Sequence, residues 1–230
     1  MKSRLVWNEY ANIHPHKLPK FKTFNIDLST IDLLLKKLAD YVEGSNLYSE
    51  ISNMHESTSE KRLYQAENLI YMAPTGVYSH NLKEWDDDEY HDCVNNNILN
   101  RIPELIGLDD ERIDIFTHNF WDYRDGGYVK KHSHFGKDDF TILIYLNTCE
   151  TGRTGFYFED EGMNNRYPSI RVTPTKGLAC CFSGDMQHDV ETTLEPKKTL
   201  VIGIKVNLEY LDWVYDDPIV SDISSIEHYM

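Results

Sequence analysis

Residues 112–147 read RIDIFTHNFWDYRDGGYVKKHSHFGKDDFTILIYLN, and this stretch decides the fold class. A β-rich run ending at Tyr123 meets the tight-turn signal Asp125-Gly126-Gly127. A second run, FTILIYLN, follows after a polar segment carrying two histidines. Beyond it come TGFYFED, SIRVTP, GLACCF and TLVIGIKV, each bounded by Gly, Pro, Thr or Ser. Short β-rich pieces without intervening helical periodicity predict an antiparallel sandwich or barrel rather than an array of βαβ units.

Upstream the pattern changes. In DLSTIDLLLKKLADYVEG the apolar residues Ile31, Leu34, Leu35, Leu38, Tyr41 and Val42 recur at helical spacing, with a start signal at Ser29 or Thr30 and a stop at Gly44. A second helix is expected in WDDDEYHDCVNNNILNRIPELIG, with Pro103 as the point where it would split. The acidic run Asp86 to Glu89 sits at its start, where carboxylates complement the helix dipole. No repeat at a fixed period and no Gly-, Ser- or Pro-rich linker divides the chain, so its 230 residues are expected to form one domain.

Composition narrows the function. A net charge of −15 disfavours binding to a phosphate backbone, so no nucleic-acid partner is expected. The opening MKSRLVWNEY lacks the apolar run of a leader, and no stretch approaches the ~18 apolar residues of a membrane span. A cytoplasmic protein is the expectation. Cys93, Cys149, Cys180 and Cys181 form no CxxC knuckle, and the adjacent pair would face opposite sides of a strand. Free thiols are expected.

The chemistry gathers around histidine. His132 and His134 stand two apart, so on an extended chain both rings face one cavity, and His188 follows the strand-like GLACCF. Three neutral imidazoles are good ligands for iron, copper, nickel or zinc, although an HxH pair alone is a weak signal. Lys198 and its rival Lys197 open the apolar run TLVIGIKV, both of whose faces are apolar, so strand parity does not choose between them.

Several elements in order raise the specificity. Tyr123-Arg-Asp-Gly126-Gly127-Tyr128, His132, the run Thr141 to Asn147, the Gly152 to Phe156 turn, Pro174 to Gly177, His188 and Lys198 together resemble the iron(II)/2-oxoglutarate dioxygenases. The prolyl-4-hydroxylase-like branch is the nearest, and the match spans roughly residues 116–206. The resemblance implies an α+β chain with a double-stranded β-helix, or jelly-roll, core at 112–206. The N-terminal helices of a helix-rich part, 1–111, would pack on that core, and 207–230 would form a C-terminal tail. It further implies Fe(II) and 2-oxoglutarate as cofactors and molecular oxygen as a reactant. The reaction would be hydroxylation of a C–H bond of a small molecule, amino acid or peptide, with release of succinate and CO2.

Residue by residue, the resemblance assigns metal binding to His132 and His188. Lys198, ten residues after His188, would grip the far carboxylate of the cosubstrate. Tyr145, Thr141 and Tyr123 would line its pocket. The family's pattern places a carboxylate two residues after the first histidine, and here that position is His134. Either His134 is a third imidazole ligand, or Asp138, Asp139 or Asp189 takes its place. An open, halogenase-like site is disfavoured because an imidazole fills the space. Two further readings stay open: a three-histidine, cupin-like dioxygenase that ignores 2-oxoglutarate, and a non-catalytic jelly-roll binding module. An anchoring lysine favours the first reading over both.

Overall fold

A strand such as FTILIY, apolar on both faces, needs cover on both sides. The computed structural model, which describes residues 6–8, 21–45, 64–66, 69–72, 75–106, 113–134, 137–158 and 167–206, supplies helices on one side and a second sheet on the other. In chain order the strands are β1 (Val6–Asn8), β2 (Phe21–Asn25), β3 (Tyr64–Ala66), β4 (Leu69–Met72), β5 (Val77–Asn81), β6 (Ile113–Tyr123) and β7 (Val129–His132). There follow β8 (Phe140–Tyr145), β9 (Thr154–Tyr157), β10 (Ile170–Val172), β11 (Leu178–Ser183), β12 (Gln187–Val190) and β13 (Lys197–Val206). Helix α1 (Leu28–Ser45) follows β2. Helix α2 (Asp88–Asn97), a 3-10 turn at Leu99–Arg101 and α3 (Ile102–Ile106) lie between β5 and β6.

Nine strands form a major sheet in the order β1-β2-β11-β8-β13-β6-β5-β4-β3, and four form a minor sheet, β10-β9-β12-β7. All pairings are antiparallel. The jelly-roll core is therefore present. The N-terminal helices pack on that core, and β1 to β5, which the sequence did not announce, extend the major sheet at both of its ends. The segment 207–230 lies outside the described residues.

Strand parity sorts the major sheet into two cores. Ile142 and Ile144 of β8 and Leu200, Ile202 and Ile204 of β13 pack with Ile31, Leu34 and Leu38 of α1 and Tyr90 and Val94 of α2. Leu143, Tyr145 and Val201 point the other way and meet Phe156 and Ile170 of the minor sheet. Cys181 belongs to the first core and Cys180 to the second, as adjacent strand residues must, and all four cysteines are free thiols.

The helices form where the sequence asks for them. In α1, Ile31, Leu34 and Leu38 are buried at helical spacing, each such side chain stabilising the fold by roughly 1.5–3 kcal/mol. At α2 the Asp87 carboxylate caps the helix, accepting from the Tyr90 amide at 2.9 Å and from Lys37 Nζ at 3.2 Å. The acidic run is thus a capping feature. The second helix does split: α2 ends at Asn97 with Ile98 as its C-cap, and Pro103 falls in the first turn of α3, where its missing N–H is harmless.

Candidate metal centre

Two of the three histidines hang from adjacent strands. After β6 the chain turns through Asp125 and Gly126, whose φ of +82° suits glycine, and crosses from the major to the minor sheet as β7. There β7 pairs with β12 so that His132 lies directly opposite His188. His134 follows just past the end of β7. Ring centroids are 4.2 Å apart for His132 and His188, 5.3 Å for His132 and His134, and 5.0 Å for His134 and His188. One ligand nitrogen from each lies within 4.8 Å of the other two.

Each ring is held by its Nδ1. That of His132 faces the Lys130 carbonyl at 2.9 Å, and that of His188 the Met186 carbonyl at 3.1 Å. His134 Nδ1 lies 2.8 Å from Thr141 Oγ1 and 2.9 Å from Asp138 Oδ2. With oxygen acceptors at Nδ1, each ring carries its proton there and presents the Nε2 lone pair. Burial, then the neighbouring imidazoles of His132 and His134, holds the pKa of His188 well below the ordinary value. Burial likewise lowers that of His132. Both rings are therefore neutral, the form a metal requires. Phe156 stacks on the His188 ring with centroids 6.2 Å apart, and Phe182 meets it edge to face at 4.9 Å.

Around the triad a pocket of about 360 Å³, partly open to solvent, lies between the sheets. Its walls include Trp121, Tyr123, Leu143, Thr154, Phe182 and Val201. The Trp121 Nε1–H is buried and has no hydrogen-bond partner.

The structure separates the two candidate lysines. Lys197, Thr199 and Val201 share one face of β13, the face that carries Val201 into the pocket. Lys198 shares the opposite face with Leu200 and Ile202, which pack under the helices. The preference for Lys198 is therefore corrected: its side chain faces away from the site. Lys197 is fully buried, its ammonium 4.7 Å from the centre of the Tyr123 ring and 5.4 Å from that of Tyr145. Its Nζ donates to the Gly152 carbonyl at 2.8 Å. No carboxylate among the described residues pairs with it. Burial lowers its pKa to about 7.

The remaining expected residues fall into place differently. Tyr123 lines the pocket as expected. Tyr145 is buried behind it, and its hydroxyl donates to Thr154 Oγ1 at 2.8 Å. Thr141 lines the pocket, but its hydroxyl serves His134 and Asp138. Of the aspartates weighed as substitute ligands, Asp189 pairs with Arg171 and the Tyr157 hydroxyl, and Asp139 with Lys205. Asp138 approaches the centre only through His134. The carboxylate thus supports the imidazole instead of replacing it. Trp121, which nothing in the sequence singles out, lines the pocket with an indole N–H that has no hydrogen-bond partner. Its neighbours in the sequence carried no signal of that.

The donor set suits a divalent first-row ion: three imidazoles, each with an outer acceptor at Nδ1, and open space on one side. A buried ammonium without a carboxylate and an unpartnered indole N–H suit an anionic chelating cosubstrate beside it.

No protein-family model matches the sequence, and no curated protein matches it. Solved structures do. A prolyl hydroxylase from Trichoplax adhaerens, in complex with a hypoxia inducible factor oxygen degradation domain peptide fragment, is 13% identical with a TM-score of 0.57. That match covers 82% of this chain and 84% of the other. AviO1 from Streptomyces viridochromogenes Tue57 is 10% identical with a TM-score of 0.54, covering 81% of this chain and 89% of its own. The viral collagen prolyl hydroxylase of Paramecium Bursaria Chlorella virus-1, in its 2-oxoglutarate complex, is 11% identical with a TM-score of 0.51, covering 81% and 96%. Likeness at this level of identity is likeness of fold: the chain has the double-stranded β-helix that prolyl hydroxylases also have, and its three imidazoles converge inside it.

Proposed function

We propose that the protein is an iron(II)- and 2-oxoglutarate-dependent oxygenase that hydroxylates a C–H bond of a small molecule or of a peptide side chain. The observation that carries this reading is the pairing of a three-imidazole cluster with a buried ammonium that no carboxylate among the described residues pairs with. A metal site alone fits many enzymes; the lysine asks for a dianion beside it.

In this reading His132, His134 and His188 hold the iron through Nε2. When bound, iron and 2-oxoglutarate supply the oxidising chemistry with dioxygen, the cosubstrate leaving as succinate and CO2. The chain's own residues do the rest. Lys197 holds the far carboxylate, and the Trp121 N–H lies on the same wall as a second donor. Tyr123 and Tyr145 shape the space around the ammonium, and their rings partly offset its desolvation. Leu143, Phe182 and Val201 exclude water from the reacting centre.

The test is anaerobic reconstitution with Fe(II), addition of 2-oxoglutarate, and then exposure to air. The expected result is a weak visible charge-transfer band, followed by succinate. His188→Ala is expected to abolish iron binding. Stoichiometric iron with neither band nor succinate would instead point to a three-histidine dioxygenase that does not use 2-oxoglutarate, the reading that the missing carboxylate ligand favours. Failure to hold any divalent metal would leave a binding module.

A further inference from the structure

Among the described residues, three imidazoles around a dication would leave the centre without an anionic protein ligand. Asp138 is the buried carboxylate closest to that need, at 6% exposure, and no lysine or arginine among the described residues pairs with it. Its Oδ2 lies 2.9 Å from His134 Nδ1 and 3.4 Å from Thr141 Oγ1, while Oδ1 is buried without a hydrogen-bond partner. A buried carboxylate in that state is costly unless a positive charge stands behind its hydrogen-bond partner.

The seat is built for it. The Asp138 amide donates to the His134 carbonyl at 3.2 Å, the Lys137 amide to the same carbonyl at 2.8 Å, and the Asp139 amide to the Ile204 carbonyl at 2.8 Å. Two glycines make room. A Cβ on Gly203, beside the irregularity in β13, would stand 2.4 Å from Asp138 Cγ, and one on Gly184 would stand 1.9 Å from the Asp138 carbonyl oxygen. His132 and His188 lean on backbone carbonyls; only His134 leans on a carboxylate.

We propose that Asp138 is the anionic partner of the metal centre, acting through His134 as a positioning residue. It fixes the ring with Nε2 toward the ion and supplies through the imidazole the negative charge that no direct ligand brings. The inference rests on the metal-binding part of the function proposed above.

The test is divalent metal affinity, measured with Co(II) and Ni(II) against a chromophoric chelator, together with the Co(II) d–d spectrum. Four proteins are compared: wild type, Asp138→Asn, His134→Asp and the double variant. Asp138→Asn, nearly isosteric, is expected to weaken metal binding about 10- to 100-fold and to shift the Co(II) spectrum, with an unchanged far-UV dichroism spectrum. In the His134→Asp background, where the ligand itself is anionic, the same Asp138→Asn change is expected to leave affinity unchanged or to raise it. That reversal is one that a merely structural residue cannot produce. Wild-type affinity and spectrum in Asp138→Asn overturn the proposal, as does an equal loss in both backgrounds. Should His134→Asp not fold, the single variant's affinity and spectrum decide. A wild type that binds no metal sinks the functional reading itself, which is a different result from a metal-binding wild type indifferent to Asp138.

Discussion

A buried ammonium walled by two aromatic rings and one carbonyl is poorly solvated, and its response to pH follows from that. Lys197 titrates near 7 in the folded protein because burial disfavours its charge, against 10.5 in an unfolded chain. Between those values the unfolded chain holds a proton that the folded one has shed, so raising pH from 7 to 10.5 stabilises the fold through this group. Below pH 7 the burial penalty is present in full. Urea denaturation of wild type against Lys197→Met should show the wild type gaining relative stability across that window, and parallel profiles would contradict it. If the ammonium grips the cosubstrate, 2-oxoglutarate affinity falls as pH rises above about 7. It is then lost in Lys197→Met while metal binding persists. Lys198→Met should spare both, because that side chain lies on the helix-facing side of β13. Which lysine faces the site was not legible in TLVIGIKV, where both faces are apolar. Only the placement of the helices tells which face is which. Asp138 posed a related difficulty: its nearness to the metal could be suspected, but ligand and imidazole partner differ only in how a loop seats against Gly184 and Gly203.

At the scale of elements, β7 and β12 matter most and announce themselves least. VKKH and QHDV are short and polar, with half-exposed positions, because one face carries ligands and the other meets solvent. They lack the apolar alternation that betrays a strand, so neither stands out among the β-rich runs of the sequence. The HxH spacing and the downstream histidine were nonetheless enough to nominate all three rings. The short N-terminal strands were hidden for the same reason: FKTFN and VYSHN mix polar residues into pieces too brief for a period to emerge. Helix ends were easier, since capping chemistry is local. Asp87→Ala removes the cap of α2 and is expected to destabilise the protein by about 1 kcal/mol. Thermal or urea unfolding would measure it. Metal affinity should stay unchanged, because α2 packs on the far face of the major sheet from the histidines.

For the whole molecule, two cores share one sheet, and the chemistry sits in the smaller, between the sheets. The division explains why the fold class could be read while the site's details could not. Alternating turns and apolar runs specify a sandwich, but the pocket depends on which residues of each strand look inward. The layers also differ in what they lend to the triad. His132 and His188 belong to the minor sheet. His134 is tied through Thr141 to β8 and through its amide to the Gly184 carbonyl, 2.7 Å away, just beyond β11 of the major sheet. An ion gripped by all three therefore rivets one wall of the sandwich to the other. Deuterium uptake by the backbone amides of β7 and β12 should slow when the metal is added and recover with a chelator. Unaltered uptake would mean that the walls are pinned by their apolar contacts alone. On the proposed reading the four-stranded wall is spliced to its neighbour by one removable ion, and it is the part expected to open first when that ion is withdrawn.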